Sequence, residues 1–169
     1  GYHGQFSGPF TFAAAFLAAC SPPLAERASL PRWQGESLAD GTVLRFEASE
    51  GLVLVNVWAT WCEPCRREMP SLEAAHRALA PKGIRVVGIN IDRDALLARE
   101  HLRKLGLTFP NLSDPAQAIA REALGVAKLP TTIAIGRDGR VRWREESARD
   151  WSEPSRLAMI ERSEAGGAP

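Results

Sequence analysis

The sequence predicts an α/β fold: a mixed central sheet flanked by helices, with a β-hairpin ahead of it. Two apolar runs, residues 52–57 and 84–91, lie on either side of a long helical pattern. Buried parallel strands joined by a crossover helix read this way. A third observation adds antiparallel strands: Leu129-Pro130-Thr131-Thr132-Ile133-Ala134-Ile135, the turn Arg137-Asp138-Gly139, then Arg140-Val141-Arg142-Trp143. That is a hairpin by composition and spacing. Strands alternating with helices and closed by a hairpin give a mixed sheet with helices on both faces. A chain of 169 residues fits one domain plus a short extension. Its 45% hydrophobic and 24% charged residues are ordinary for a soluble globular protein. The net charge of +1 gives no electrostatic case for nucleic acid or an anionic membrane surface. Partners therefore have to be read from a site.

The elements follow in order. Phe10-Thr11-Phe12-Ala13-Ala14-Ala15-Phe16-Leu17-Ala18-Ala19-Cys20 is a short apolar run ending in Leu-Ala-Ala-Cys. It resembles the hydrophobic region and lipobox of a bacterial lipoprotein signal, which implies that Cys20 is a lipid anchor. Its ten apolar residues are too few to span a bilayer as a helix, and small residues before the cysteine suit a processing site. The other reading of residues 1–20 is a tag-derived apolar tail, with Cys20 a free thiol. Residues 21–33, with three prolines and no periodicity, read as a linker. The folded domain is expected over residues 34–169.

Asp40-Gly41 is a turn signal and Val43-Leu44-Arg45-Phe46 alternates, so residues 36–47 read as the leading hairpin. After the strand at 52–57, a helix is predicted over 62–80. Met69, Leu72, His76 and Leu79 share one face, Pro70 is a kink, and Pro81-Lys82-Gly83 is the stop. The strand at 84–91 leads to a helix over 94–105, with Ala98, Leu102 and Leu105 on its apolar face and Gly106 ending it. Asp114 is a good N-cap for a further helix, with Pro115 at its first position. Ala116, Ile119, Ala120 and Ala123 fit its periodicity, and Gly125 closes it. A last helix is predicted from about Glu153, capped by Ser152, with Leu157 and Ile160 facing inward.

The chemistry concentrates in Trp58-Ala59-Thr60-Trp61-Cys62-Glu63-Pro64-Cys65-Arg66-Arg67-Glu68-Met69-Pro70. Residues i and i+3 of a helix share a face, so the Cys62 and Cys65 thiols can close into a disulfide. The helix N-terminus carries about half a positive charge, which stabilises a thiolate at Cys62. A structural zinc site needs four ligands, and no second Cys-x-x-Cys or matching His pair exists. A redox pair that needs no metal or other cofactor is the expectation. It leaves Cys20 as the odd cysteine.

The motif Trp61-Cys62-Glu63-Pro64-Cys65, with Arg-Arg-Glu-Met-Pro behind it, resembles the TlpA/ResA/CcmG branch of thioredoxin-fold, extracytoplasmic thiol–disulfide reductases. Leu129-Pro130-Thr131 resembles that family's cis-proline loop, and the helix around 94–105 resembles its inserted helix. The resemblance runs from about residue 34 to the end. It implies a thioredoxin-like fold and a cis Leu129–Pro130 bond beside the disulfide, where the residue 129 backbone faces a client chain. Trp61, Glu63, Pro64, Leu129 and Thr131 are the implied client-binding residues, with Trp61 covering the disulfide.

Cys62, at the helix start, is the expected nucleophile, and Cys65, one turn deeper, the resolving thiol. Thioredoxin has a buried aspartate where this chain has Asn56, which cannot take a proton. The resemblance gives the role of active-site acid to Glu68, three residues beyond Cys65 on the same helical face. A partly buried carboxyl there would have a raised pKa and could exchange a proton with a thiol. Glu63 should oppose a thiolate at Cys62, which favours a reductant over an oxidant. His76 and His101 read as structural or surface histidines, and Trp58 as core.

The implied clients are the haem-binding cysteines of apocytochrome c or the thiols of a copper-site assembly protein. The implied electron donor is a CcdA- or DsbD-like membrane protein. The implied location is the periplasm or outer surface of a bacterial membrane. Three alternatives compete. A Sco-like copper carrier uses Cys-x-x-x-Cys and a distant His, whereas two residues separate the cysteines here. A peroxiredoxin requires a Thr at a spacing this chain lacks. A disulfide oxidase uses the same residues and differs in potential.

Overall fold

The computed structural model describes residues 32–47 and 50–166. Cys20 and the apolar segment read as its anchor lie outside the described residues, as does most of the stretch read as linker. Strand β1 (Arg32–Ser37) begins inside that stretch and pairs antiparallel with β2 (Val43–Glu47), Trp33 opposite Phe46 and Glu36 opposite Val43. The early start has a physical reason: Trp33 is buried against the core with Val53 and Leu112.

The remaining elements are β3 (Val53–Trp58), α1 (Glu63–Leu79), β4 (Arg85–Asn90), α2 (Ala95–Lys104), β5 (Asn111–Ser113), β6 (Thr131–Ile135), β7 (Val141–Glu145) and α3 (Pro154–Glu164). They build one seven-stranded sheet in the order β2-β1-β5-β4-β3-β6-β7. The β3–β4 and β4–β5 pairs are parallel; the other four are antiparallel. The sheet is mixed, as the sequence predicts.

Strand β3 lies near its middle and all six residues are buried. Side chains alternate across a strand, so Leu54 and Trp58 enter one core layer with Met69, Leu72 and Leu79 of α1. That layer also takes Ala98 and Leu102 of α2 and Ile160 of α3. Val53, Val55 and Val57 enter the opposite layer with Val87, Ile89 and Ile133. Burying each such side chain contributes roughly 1.5–3 kcal/mol, so the five apolar residues of β3 fix the register on both faces. Asn56 has the parity of Leu54 and Trp58. It is therefore a buried polar group aimed at α1.

Three expectations are corrected. Residues 114–125 do not form an α-helix starting at Pro115. Gln117 takes a left-handed φ of 56°, and a π-helical turn spans Ala118–Ala123. The Asp114 carboxylate accepts the Ile119 and Ala120 N–H groups of that turn rather than those of a first α-turn. In α3 the cap position falls on Glu153, because Pro154 occupies the first turn, and the Ser152 hydroxyl turns to Asp150. Leu105 ends α2 and stays 45% exposed. Strand β5 has three residues, too few to show a period in the sequence. Helix α1 runs unbroken through Pro70. No helix among the described residues is long and apolar enough to cross a membrane.

Candidate active site

Strand β3 ends at Trp58, and after a single turn at Thr60–Trp61 Cys62 caps α1 with an extended backbone. Its sulfur accepts the Cys65 N–H at 3.3 Å, the place a capping oxygen usually takes. Glu63 and Pro64 fill the first helical positions, where a missing N–H costs nothing. Cys62 and Cys65 are joined as a disulfide with Cα atoms 5.3 Å apart. Cys62 is 7% exposed and Cys65 not at all. Cys62 is thus the more accessible sulfur of the pair.

The turn before Cys62 is pinned from the end of β4. The Asp92 carboxylate accepts the Thr60 N–H at 2.9 Å and the Thr60 hydroxyl at 2.7 Å, and Asn90 Nδ2 donates to it at 2.6 Å. The Arg66 guanidinium donates back to the Thr60 carbonyl at 2.9 Å. Sequence reasoning did not pick out Asp92. The available signal was its place just past the carboxyl end of a parallel strand, where sites in open α/β sheets gather.

Glu68, one turn beyond Cys65, is 3% exposed. One carboxylate oxygen accepts Asn56 Nδ2 at 2.7 Å; the other accepts the Arg149 N–H at 3.1 Å and Trp151 Nε1 at 3.0 Å. Burial raises its pKa, and the charge of Glu145 adds to the rise; the three donors pull the other way and do not cancel it. Glu68 also borders a depression of about 640 Å³ with Arg67, Ser71 and Arg149. Asn56 Nδ2 donates as well to Thr132 Oγ1 at 3.0 Å, while Asn56 Oδ1 has no partner among the described residues.

The Leu129–Pro130 peptide is cis. Leu129 joins Trp61, Cys62, Glu63 and Pro64 in the lining of a groove of about 480 Å³. Thr131 is 1% exposed, and its hydroxyl donates to the Lys128 carbonyl, so it braces the loop from inside. Trp61, expected over the disulfide, is 68% exposed and forms a rim of the groove. Trp58 is core, as expected. His76 and His101 lie against Phe109 and Trp58, at ring distances of 6.4 and 5.7 Å.

A sheet of this order, with one Cys-x-x-Cys pair at the start of its first helix and a cis-proline loop beside it, defines a thioredoxin-like redox domain. The chain belongs to the Redoxin family, whose model matches residues 27–160. It is 34% identical over 90 residues to the thiol-disulfide oxidoreductase ResA of Geobacillus thermodenitrificans, 53% of this chain and 51% of that protein. It thus spans about half the length of the curated relatives it matches. A secreted thiol-disulfide isomerase from Corynebacterium glutamicum superposes with a TM-score of 0.66 at 26% identity, over 78% of this chain and 84% of that one. A DsbF homologue from Corynebacterium diphtheriae gives 0.65 at 26%, over 79% and 84%. The resemblance read from the motif is borne out in family and in fold.

Proposed function

We propose that the chain is a thiol–disulfide oxidoreductase that works outside the cytoplasm as a reductase of protein disulfides. The observation that carries the reading is the Cys62–Cys65 disulfide at the start of α1, with a buried, raised-pKa carboxyl one turn behind it. The ResA likeness and the secreted isomerase support it. In the reduced protein, the Cys62 thiolate attacks one sulfur of a client disulfide, forming a mixed disulfide and releasing one client thiolate. Cys65, its proton passed to Glu68, attacks Cys62 Sγ and releases the second client thiolate. The client gains two electrons and, from solvent and Glu68, two protons. The protein is left with the Cys62–Cys65 disulfide. No cofactor is needed beyond this pair.

Re-reduction takes an external dithiol, for which a CcdA- or DsbD-like membrane protein is the donor we propose. The clients we propose are apocytochrome c or a copper-site assembly protein. Cys62→Ala is expected to abolish insulin-disulfide reduction and Cys65→Ala to trap a mixed disulfide; turnover in the first variant would sink the mechanism.

A second reading, an oxidase, has its own observation. The Cys65 N–H and the helix N-terminus both stabilise a Cys62 thiolate, which stabilises the reduced form and makes the couple more oxidising. The Glu63 charge, one residue away, opposes this. Equilibration with glutathione or dithiothreitol buffers separates the two: a potential near about −270 mV is a reductant, one near about −120 mV an oxidant.

A further inference from the structure

We propose that Arg121 and Lys128 form a basic rim that selects client segments carrying an acidic side chain within a few residues of the reacting cysteine. The inference rests on the reductase reading above and names the clients it favours. The groove beside Cys62 has an apolar lining, Ile91, Val126 and Leu129, with Trp61 on its rim. Its far wall is the π-helical turn, which contributes Ala120 and Arg121, together with the loop that carries Lys128.

Both cations are exposed, and neither has a carboxylate partner among the described residues. Some arginines elsewhere on the surface are paired, Arg85 with Glu50, Arg137 with Glu164 and Arg142 with Asp138; what sets Arg121 and Lys128 apart is that both line the groove beside Cys62. Two like charges brought to one groove with neither ion-paired repel each other, and an acidic side chain lying between them relieves that. The carboxylate in the lining, Glu63, belongs to the cysteine end.

The wall itself is a costly piece of backbone. Gln117 sits in the left-handed region without being glycine, and the turn is held in its π form by two N–H bonds to a buried carboxylate, Asp114. Strained backbone and π-turns gather where a side chain has to be aimed. Here the aimed side chain is Arg121. The occupant is an extended client strand with its cysteine at Cys62, an apolar residue over Ile91 and Leu129, and Asp or Glu at the rim.

The test uses the reduced full chain and three disulfide peptides that differ in a single residue near the cysteine: Asp, Ser or Lys. Reduction is followed by tryptophan fluorescence. Exposed ion pairs are each worth a few-fold, so Asp should exceed Lys in the second-order rate constant of reduction by roughly tenfold at low salt, and the ratio should shrink at high salt. Arg121→Glu with Lys128→Glu should invert the order, and Arg121→Lys should keep it. A purely structural role for the wall would lower all three rates together.

Equal rates for the three peptides, or a ratio untouched by charge reversal, would overturn the rim. Binding of Cys→Ser versions of the peptides to the oxidised protein, read by anisotropy, separates the two levels of inference. Acidic preference in binding with no reduction of any disulfide, neutral bis(2-hydroxyethyl) disulfide included, would overturn the reductase reading and leave the rim standing. Fast reduction with no preference does the reverse.

Discussion

Three donors converge on the Glu68 carboxylate, while burial favours its protonated form. Because the folded pKa is raised, the stability tied to this group is full below the unfolded value of about 4.3 and is lost as pH rises through the folded one. Glu68→Gln removes the buried charge. A glutamine oxygen can still accept from Arg149 and Trp151, and its amide can donate to the Asn56 Oδ1 that now lacks a partner once Asn56 turns over. The variant is expected to match or exceed the wild type in guanidinium denaturation at neutral pH, with the gap closing or reversing below the ordinary glutamate range. Glu68→Ala strands three donors and should cost roughly 3 kcal/mol or more. The cysteine pair was legible because a helical period places i and i+3 together, and the role expected of Glu68 came from the family resemblance. Arg149 and Trp151 were not, since they arrive from over eighty residues away and one of them acts through its backbone N–H.

At the scale of elements, the segment 114–125 shows what periodicity misses. Ile119 and Ala120 are buried as the pattern requires, yet over six residues an apolar stripe does not distinguish an α-turn from the wider π-turn. Asp114→Ala removes the acceptor of two buried N–H groups and should lower stability by about 1–2 kcal/mol, read as a fall in Tm. The loop after α2 is held by another carboxylate. Glu73 of α1 accepts the Thr108 N–H and hydroxyl and the Phe109 N–H, and meets Arg77. Burial pushes its pKa up, but these bonds together outweigh burial and leave it lowered. Its sign is the opposite of Glu68: the stability is present above about pH 4.3 and lost as pH falls through the folded value. Glu73→Gln should therefore weaken the protein in denaturant at pH 7 and make little difference in acid.

Across the whole molecule, the sheet is cross-tied where no side chain stands. A Cβ on Gly88 of β4 would lie 1.8 Å from Asn111 Oδ1 and 3.1 Å from Trp58 Nε1. The bare position lets the Asn111 amide of β5 cross β4 and accept the Trp58 indole of β3 at 2.8 Å. Gly88→Ala should cost about 2–3 kcal/mol, and Asn111→Ala should add less in that background than alone. A double-mutant cycle in denaturant checks the coupling. The strand pattern, the redox helix and the mixed sheet were visible in the sequence because each follows from a local period. This tie was not, because it depends on which strand lies next to which. A second indole links still more distant parts: Trp151 stacks on Trp143 of β7 at 5.8 Å, lies beneath Arg156 of α3, and donates to Glu68 of α1. Its indole is hydrogen-bonded to the carboxyl proposed above to exchange the proton. The emission of Trp151 is thus expected to serve as an optical gauge of Glu68, shifting as that carboxyl titrates and staying flat in Glu68→Gln, which a pH titration of fluorescence checks.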